Sequence, residues 1–232
     1  MKTAPSELAV APARLPRFDR AERALHWVNA VLFLVLLATA AILYVGQLSA
    51  LVGRRELVRQ VHVWCGLVLP VPILLALAGP WRRGVVADLR AFNRWDADDR
   101  RWLRTRGRAR DVRLGKFNPG QKLNAAFVGG TIGVMLITGS IMHWFGYFPT
   151  RWRTGATFVH DWTAFAVAAV VVGHVYMALG DFDALGGMVK GWVPARWARQ
   201  HRPRWFEQVT GLPAGPDAEE VERERAAVRR SG

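Results

Sequence analysis

The chain has 232 residues, with 32 Lys and Arg against 18 Asp and Glu, a formal charge of +14, and a composition 51% apolar yet 22% charged. Such amounts of both classes point to apolar and basic stretches separated along the chain rather than to one water-soluble core. The single cysteine, Cys65, excludes an internal disulfide and a thiolate-held cluster.

Taken in order, residues 1–23 form a basic N-terminal segment. A run free of Asp, Glu, Lys and Arg follows at 24–53, and others come at 61–81, 123–150 and 162–180. Each can hold a helix of about 20 residues, the length that crosses the hydrocarbon of a bilayer. The pattern predicts an all-α chain with a four-transmembrane-helix bundle, the spans lying near 24–45, 60–79, 123–145 and 158–180. The first run is longer than a signal-peptide core and lacks a small-residue cleavage site, so it reads as a span. Pro70 and Pro72 each remove a backbone donor and predict a kink in the second span.

Between the second and third spans, "GVVADLRAFNRW" carries apolar residues at helical spacing. It predicts a short amphipathic helix on the membrane surface, with Trp95 and Trp102 at headgroup depth. Trp27, Trp81, Trp144, Trp152 and Trp192 flank span ends, as an interfacial belt does. The expected organisation is a segment at 1–23, a membrane domain at 24–180 and a C-terminal segment at 181–232, mobile after about 213.

Basic residues set the orientation. Lys and Arg number 5 before the first span, 13 in residues 80–122 and 9 after the fourth span, against 3 and 2 in the remaining connections. The positive-inside rule then places both termini and the long middle loop in the cytoplasm of a multi-pass bacterial plasma-membrane protein. This topology accounts for the basic charge without nucleic acid as a partner; membrane lipids are the expected surroundings.

Six histidines remain to be explained. His26 opens the first span inside, and His62 opens the second outside. His160 and His174 both lie on the fourth, fourteen residues apart, which is roughly 21 Å along a helix and within about 40° of one face. By depth they pair as His62 with His160 near the outer side and His26 with His174 near the inner side. Two neutral imidazoles at one depth on different helices can take a haem iron from opposite axial sides. Small residues would leave room for the porphyrin: Gly66, Ala164, Ala166, Ala168, Ala169 and Gly173, with Gly129, Gly130 and Gly133 on the third span. The alternatives are structural histidines or a proton relay in a haem-free anchor. Zinc is disfavoured, since no HExxH and no His pair at i, i+4 occurs. His143 and His201 find no partner and read as an interfacial and a surface residue.

Ahead of the third span, "KFNPGQK" offers Asn118 and Gln121, uncharged amides able to donate to a carbonyl, around Gly120, where backbone can approach a ring. The plainer alternative is a helix start, with Asn118 as cap and Lys122 snorkelling to headgroups. Spacing alone leaves both open.

Four stretches carry a family resemblance: "RFDRAERALHW", "GKFNPGQKLNA", "VHDWTAFAVAAVVVGHVYMA" and "GMVKGWVPARWARQHRPRW". From about residue 16 to 207 the chain resembles the cytochrome b (gamma) subunit of membrane-bound respiratory formate dehydrogenase. The resemblance implies two haems b, one on His62 and His160, the other on His26 and His174, with Asn118, Gly120 and Gln121 lining a quinone pocket beside the inner haem. It further implies an iron–sulfur (beta) subunit and a molybdenum or tungsten catalytic (alpha) subunit as partners, often as a trimer of heterotrimers. The formate chemistry would reside on those partners. This chain would pass their electrons from the periplasmic side to menaquinone or ubiquinone, as the quinone-reducing membrane subunit of an oxidoreductase. One departure is "HVWCG" after His62, where the family carries an apolar, often proline-containing stretch. Di-haem b subunits of nickel–iron hydrogenases and thiosulfate reductases share the four-helix plan and stand as alternatives.

Overall fold

The computed structural model describes residues 12–109 and 111–215; the tail expected to be mobile falls largely outside them. In chain order the elements are β1 (Arg14–Pro16), α1 (Arg20–Tyr44), α2 (Gly46–Val52), α3 (Arg55–Val68), α4 (Val71–Ala78), α5 (Arg82–Asn93), α6 (Ala97–Arg104), α7 (Pro119–His143), α8 (Thr150–Leu179), α9 (Phe182–Lys190), β2 (Trp192–Pro194), α10 (Ala195–His201) and α11 (Pro203–Thr210). The chain divides into two compact units. One comprises residues 20–90 and 123–180; the other gathers the residues up to 19, 91–122 and those from 181 on.

The first unit is a helical membrane bundle. Among the described residues, four helices are long and apolar enough to cross a bilayer: Arg20–Tyr44, Arg55–Ala78, Pro119–His143 and Thr150–Leu179. All begin four to eight residues before the starts expected from the uncharged runs. Hydropathy marks the hydrocarbon, whereas the backbone ladder of the helices continues past it through charged residues such as Arg20, Glu22 and Arg55. Val31, Leu34, Ile137 and Val172 are exposed on the bundle surface, as lipid-facing residues must be. α1 packs against α3 and α4. The second span breaks between α3 and α4, as its prolines predict: Pro70 and Pro72 supply no N–H, and the ladder resumes with Leu74 N–H donating to Pro70 O at 3.2 Å.

The second unit was not visible as such in the sequence. β1 and β2 pair antiparallel, Leu15 opposite Val193, and carry the small sheet. Leu15, Val193, Trp197, Ala198, Trp205 and Phe206 form its buried core. Gly191, at φ +89°, turns the chain from α9 into β2, and its carbonyl accepts from the backbone N–H groups of Arg17 and Phe18 at 2.8 and 3.2 Å. The surface helix expected after the second span is present as α5. Trp102 packs over Gly107, where a methyl group would lie 3.0 Å from its ring, and over Gly120.

Candidate functional site

Within the membrane unit the four histidines come together in two pairs. The rings of His62 on α3 and His160 on α8 have centres 6.3 Å apart; those of His26 on α1 and His174 on α8 are 6.2 Å apart. α8 therefore gives one imidazole to each pair from a single unbroken helix. Metal–imidazole bonds of about 2.0–2.1 Å, with about 1.1 Å from nitrogen to ring centre, put two rings on one metal roughly 6.2–6.4 Å apart. Both pairs match that span.

The donor set and its surroundings fit haem iron. Neutral imidazoles are the expected axial ligands. Of the glycines singled out in the sequence, Gly129, Gly130, Gly133 and Gly173 are exposed, and a methyl group at any of them would meet no atom within 4 Å. At Gly66 it would reach only Leu36, at 3.8 Å. Three residues of this region were not singled out in the sequence. Thr39 on α1 lies with Oγ1 2.8 Å from His62 Nδ1, and Thr138 on α7 with Oγ1 2.9 Å from His160 Nδ1. Gly139 backs the His160 ring, where a side chain would come within 3.3 Å of Cε1. Thr39 had a signal, being the only Ser or Thr in 24–45; Gly139 had none. His143 sits at the end of α7 with its ring edge-on to Trp144, and His201 stacks on Trp197.

In the other unit, Asn118, Gly120 and Gln121 build the start of α7. Asn118 Oδ1 accepts the Gln121 N–H at 2.8 Å, and Gln121 Oε1 accepts the Asn118 N–H at 3.0 Å. This reciprocal cap, with Pro119 at the first helical position, satisfies two donors that the helix end would otherwise strand. Gln121 Oε1 also accepts from Arg202 at 3.4 Å. The amide oxygens are thus committed, and the amide nitrogens are the groups left to donate to a ligand.

Lys122 does not snorkel. Its Nζ is buried, 2.6 Å from Asp99 Oδ2 and 2.7 Å from Arg94 O, over the ring of Trp95. The carboxylate takes it inward because α6 is itself capped there: Asp96 accepts from Asp99 N–H at 3.0 Å and Asp99 Oδ2 accepts from Asp96 N–H at 3.1 Å. Arg204 clasps the same turn, bonded to Asp96 and to Asp98. Partial burial works to raise the Asp96 pKa, but the bonds from Arg204 and Asp99 prevail and hold it below the ordinary value. Arg202 is buried against Trp197, and burial lowers its pKa to about 10 against the opposing pull of Asp181. It remains a cation at neutral pH.

The pattern of the family described as prokaryotic cytochrome b561 matches residues 17–215, a stretch that contains all four paired histidines. The chain is 27% identical over 212 residues to the formate dehydrogenase cytochrome b556(fdo) subunit of Escherichia coli (strain K12), covering 83% of this chain and 92% of that protein. It is 26% identical over 214 residues to the formate dehydrogenase cytochrome b556 subunit of Haemophilus influenzae, covering 84% and 83%. With the nitrate-inducible cytochrome b556(Fdn) subunit of Escherichia coli (strain K12) it shares 24% over 217 residues, covering 86% and 93%. These relatives bear out the resemblance carried by the four sequence stretches. With its helical membrane bundle and matched length, the chain is an integral membrane protein that belongs to the prokaryotic cytochrome b561 family.

Proposed function

We propose that this chain is the di-haem, quinone-reducing subunit of a membrane-bound formate dehydrogenase. The observation that carries the reading is the two imidazole pairs, each spanned as two ligands of one metal would be. A haem b held by two such imidazoles would supply one-electron transfer and would leave no site open to oxygen. His62 and His160 hold one such group, His26 and His174 the other. α8 fixes one ligand of each pair, which keeps the two groups at different depths.

The partner assignment rests on the relatives, which are named as formate dehydrogenase subunits. It brings an iron–sulfur subunit and a molybdenum or tungsten catalytic subunit on the periplasmic side, with both termini of this chain cytoplasmic. Quinone binds at the turn before α7, where the side-chain amides of Asn118 and Gln121 donate beside Gly120, whose Cβ side Trp102 lines. Quinone reduction there takes its protons from the cytoplasm.

The test is haem stoichiometry with the ligands replaced singly. Pyridine haemochrome assay of the purified chain should give two haems. His62→Ala or His160→Ala should each remove one, and His26→Ala or His174→Ala the other, resolved by redox titration. One haem in the unaltered chain, or loss of the same haem from His62→Ala and His26→Ala, overturns the reading.

A further inference from the structure

Thr39 and Thr138 are buried in the last turns of two apolar helices, and each meets one ring of the same imidazole pair. Each hydroxyl has one proton. Thr39 Oγ1 donates it to the Val35 carbonyl at 2.7 Å, one turn back on α1, with the Leu36 carbonyl at 3.1 Å. Thr138 Oγ1 donates to the Val134 carbonyl at 2.8 Å on α7. With its proton on the carbonyl of its own helix, each oxygen accepts from the histidine nitrogen beside it. In that arrangement His62 Nδ1 and His160 Nδ1 carry the hydrogen, the tautomer that frees Nε2 for a metal. A neutral imidazole has one N–H, so Nε2 of both rings is left with its lone pair bare.

Back-bonding threonines are common in apolar helices, where the bond to their own carbonyl satisfies the hydroxyl. Thr131 on α7 does this, donating to Val128 O at 3.0 Å, with no histidine on it among the described residues. What separates Thr39 and Thr138 is convergence: two helices bring a buried acceptor to both rings of one pair. Among the described residues neither His26 nor His174 has a hydroxyl so placed.

We propose that Thr39 and Thr138 are positioning residues that fix the tautomer of His62 and His160 and thereby lower the reduction potential of the group these two rings hold. The inference rests on the haem reading above. A ligand imidazole that donates its second N–H is more basic at the metal-bound nitrogen. Greater basicity favours the ferric over the ferrous state, so the bond lowers the potential. It also fixes the ring's rotation, and Gly139 lets α7 approach closely enough for Thr138 to reach it.

The experiment is a redox titration of the purified chain, followed by visible spectroscopy, with Thr138→Val as the main variant. Valine keeps the shape and removes the acceptor. The haem on His62 and His160 should become easier to reduce, its reduced-to-oxidised ratio at a fixed potential rising about threefold, or about 30 mV at 59 mV per tenfold. The other haem should not move, and Thr131→Val should change neither. Thr39→Val should act in the same direction. Thr138→Ser, which restores the hydroxyl, should return the potential to that of the unaltered chain.

If Thr138→Val loses that haem while Thr138→Ser keeps it, the hydroxyl is needed to hold the ring and the inference stands. Loss from both variants, or Thr138→Val titrating as the unaltered chain does, overturns it. His62→Ala in parallel separates the two claims. If it removes one haem while Thr138→Val changes nothing, only the threonine inference falls. If it removes none, the two-haem reading falls.

Discussion

At the scale of single residues, the sequence reported charge but not where the charge goes. Lys122 follows a turn at the edge of an apolar run, and nothing local distinguishes a snorkelling lysine from a buried one. The answer lies 23 positions away, in Asp99. Removing one member of a buried pair strands the other and costs about 3–5 kcal/mol, whereas replacing both by apolar groups is often nearly neutral. Asp99→Ala and Lys122→Ala should therefore each lower the melting temperature of the detergent-solubilised protein markedly. The double variant Asp99→Leu with Lys122→Met should recover most of the loss. Additive losses in the double variant would show that the two side chains stabilise the unit separately. Thr39 and Thr138 illustrate the same limit: a threonine in an apolar run reads as a tolerated polar residue until a histidine on another helix is found beside it.

At the scale of elements, hydropathy located all four spanning helices among the described residues, because an uncharged, apolar stretch of about 20 residues is rare outside a bilayer. The helix starts were placed late, since caps and backbone bonds rather than hydropathy decide them. α7 is the clearest case: the reciprocal bonds of Asn118 and Gln121 start it four residues before its apolar run. β1 and β2 were missed because three-residue strands carry no periodicity, and their pairing joins residues about 180 apart in the chain. The cap that Asn118 makes and the quinone contact proposed for it can be separated. Asn118→Ala should weaken the helix start by about 1 kcal/mol, leave both haem spectra intact and slow reoxidation by a menaquinone analogue several-fold. Asn118→Ser restores a capping oxygen but not the amide N–H. Its melting temperature should recover while reoxidation stays slow. Reoxidation at the unaltered rate in both variants would place the quinone elsewhere.

At the scale of the whole molecule, the distribution of Lys and Arg predicts the direction of charge movement. With Cys65 replaced, single cysteines at positions 6 and 217 should resist an impermeant thiol reagent in intact cells and label after lysis, whereas one at the exposed Thr154 should label at once. The opposite result would reverse both the topology and the sense in which electrons and protons cross. The unbroken course of α8 between His160 and His174 has a further consequence, for how the length of the chain can vary. Each residue added or removed between them turns one imidazole by about 100° and shifts it by about 1.5 Å relative to the other. Insertions elsewhere can be absorbed by loops, but here the helix acts as a ruler. If the two pairs each hold a haem as proposed, single-residue insertions and deletions in this stretch should abolish one haem, while changes close to whole turns should keep both at an altered separation.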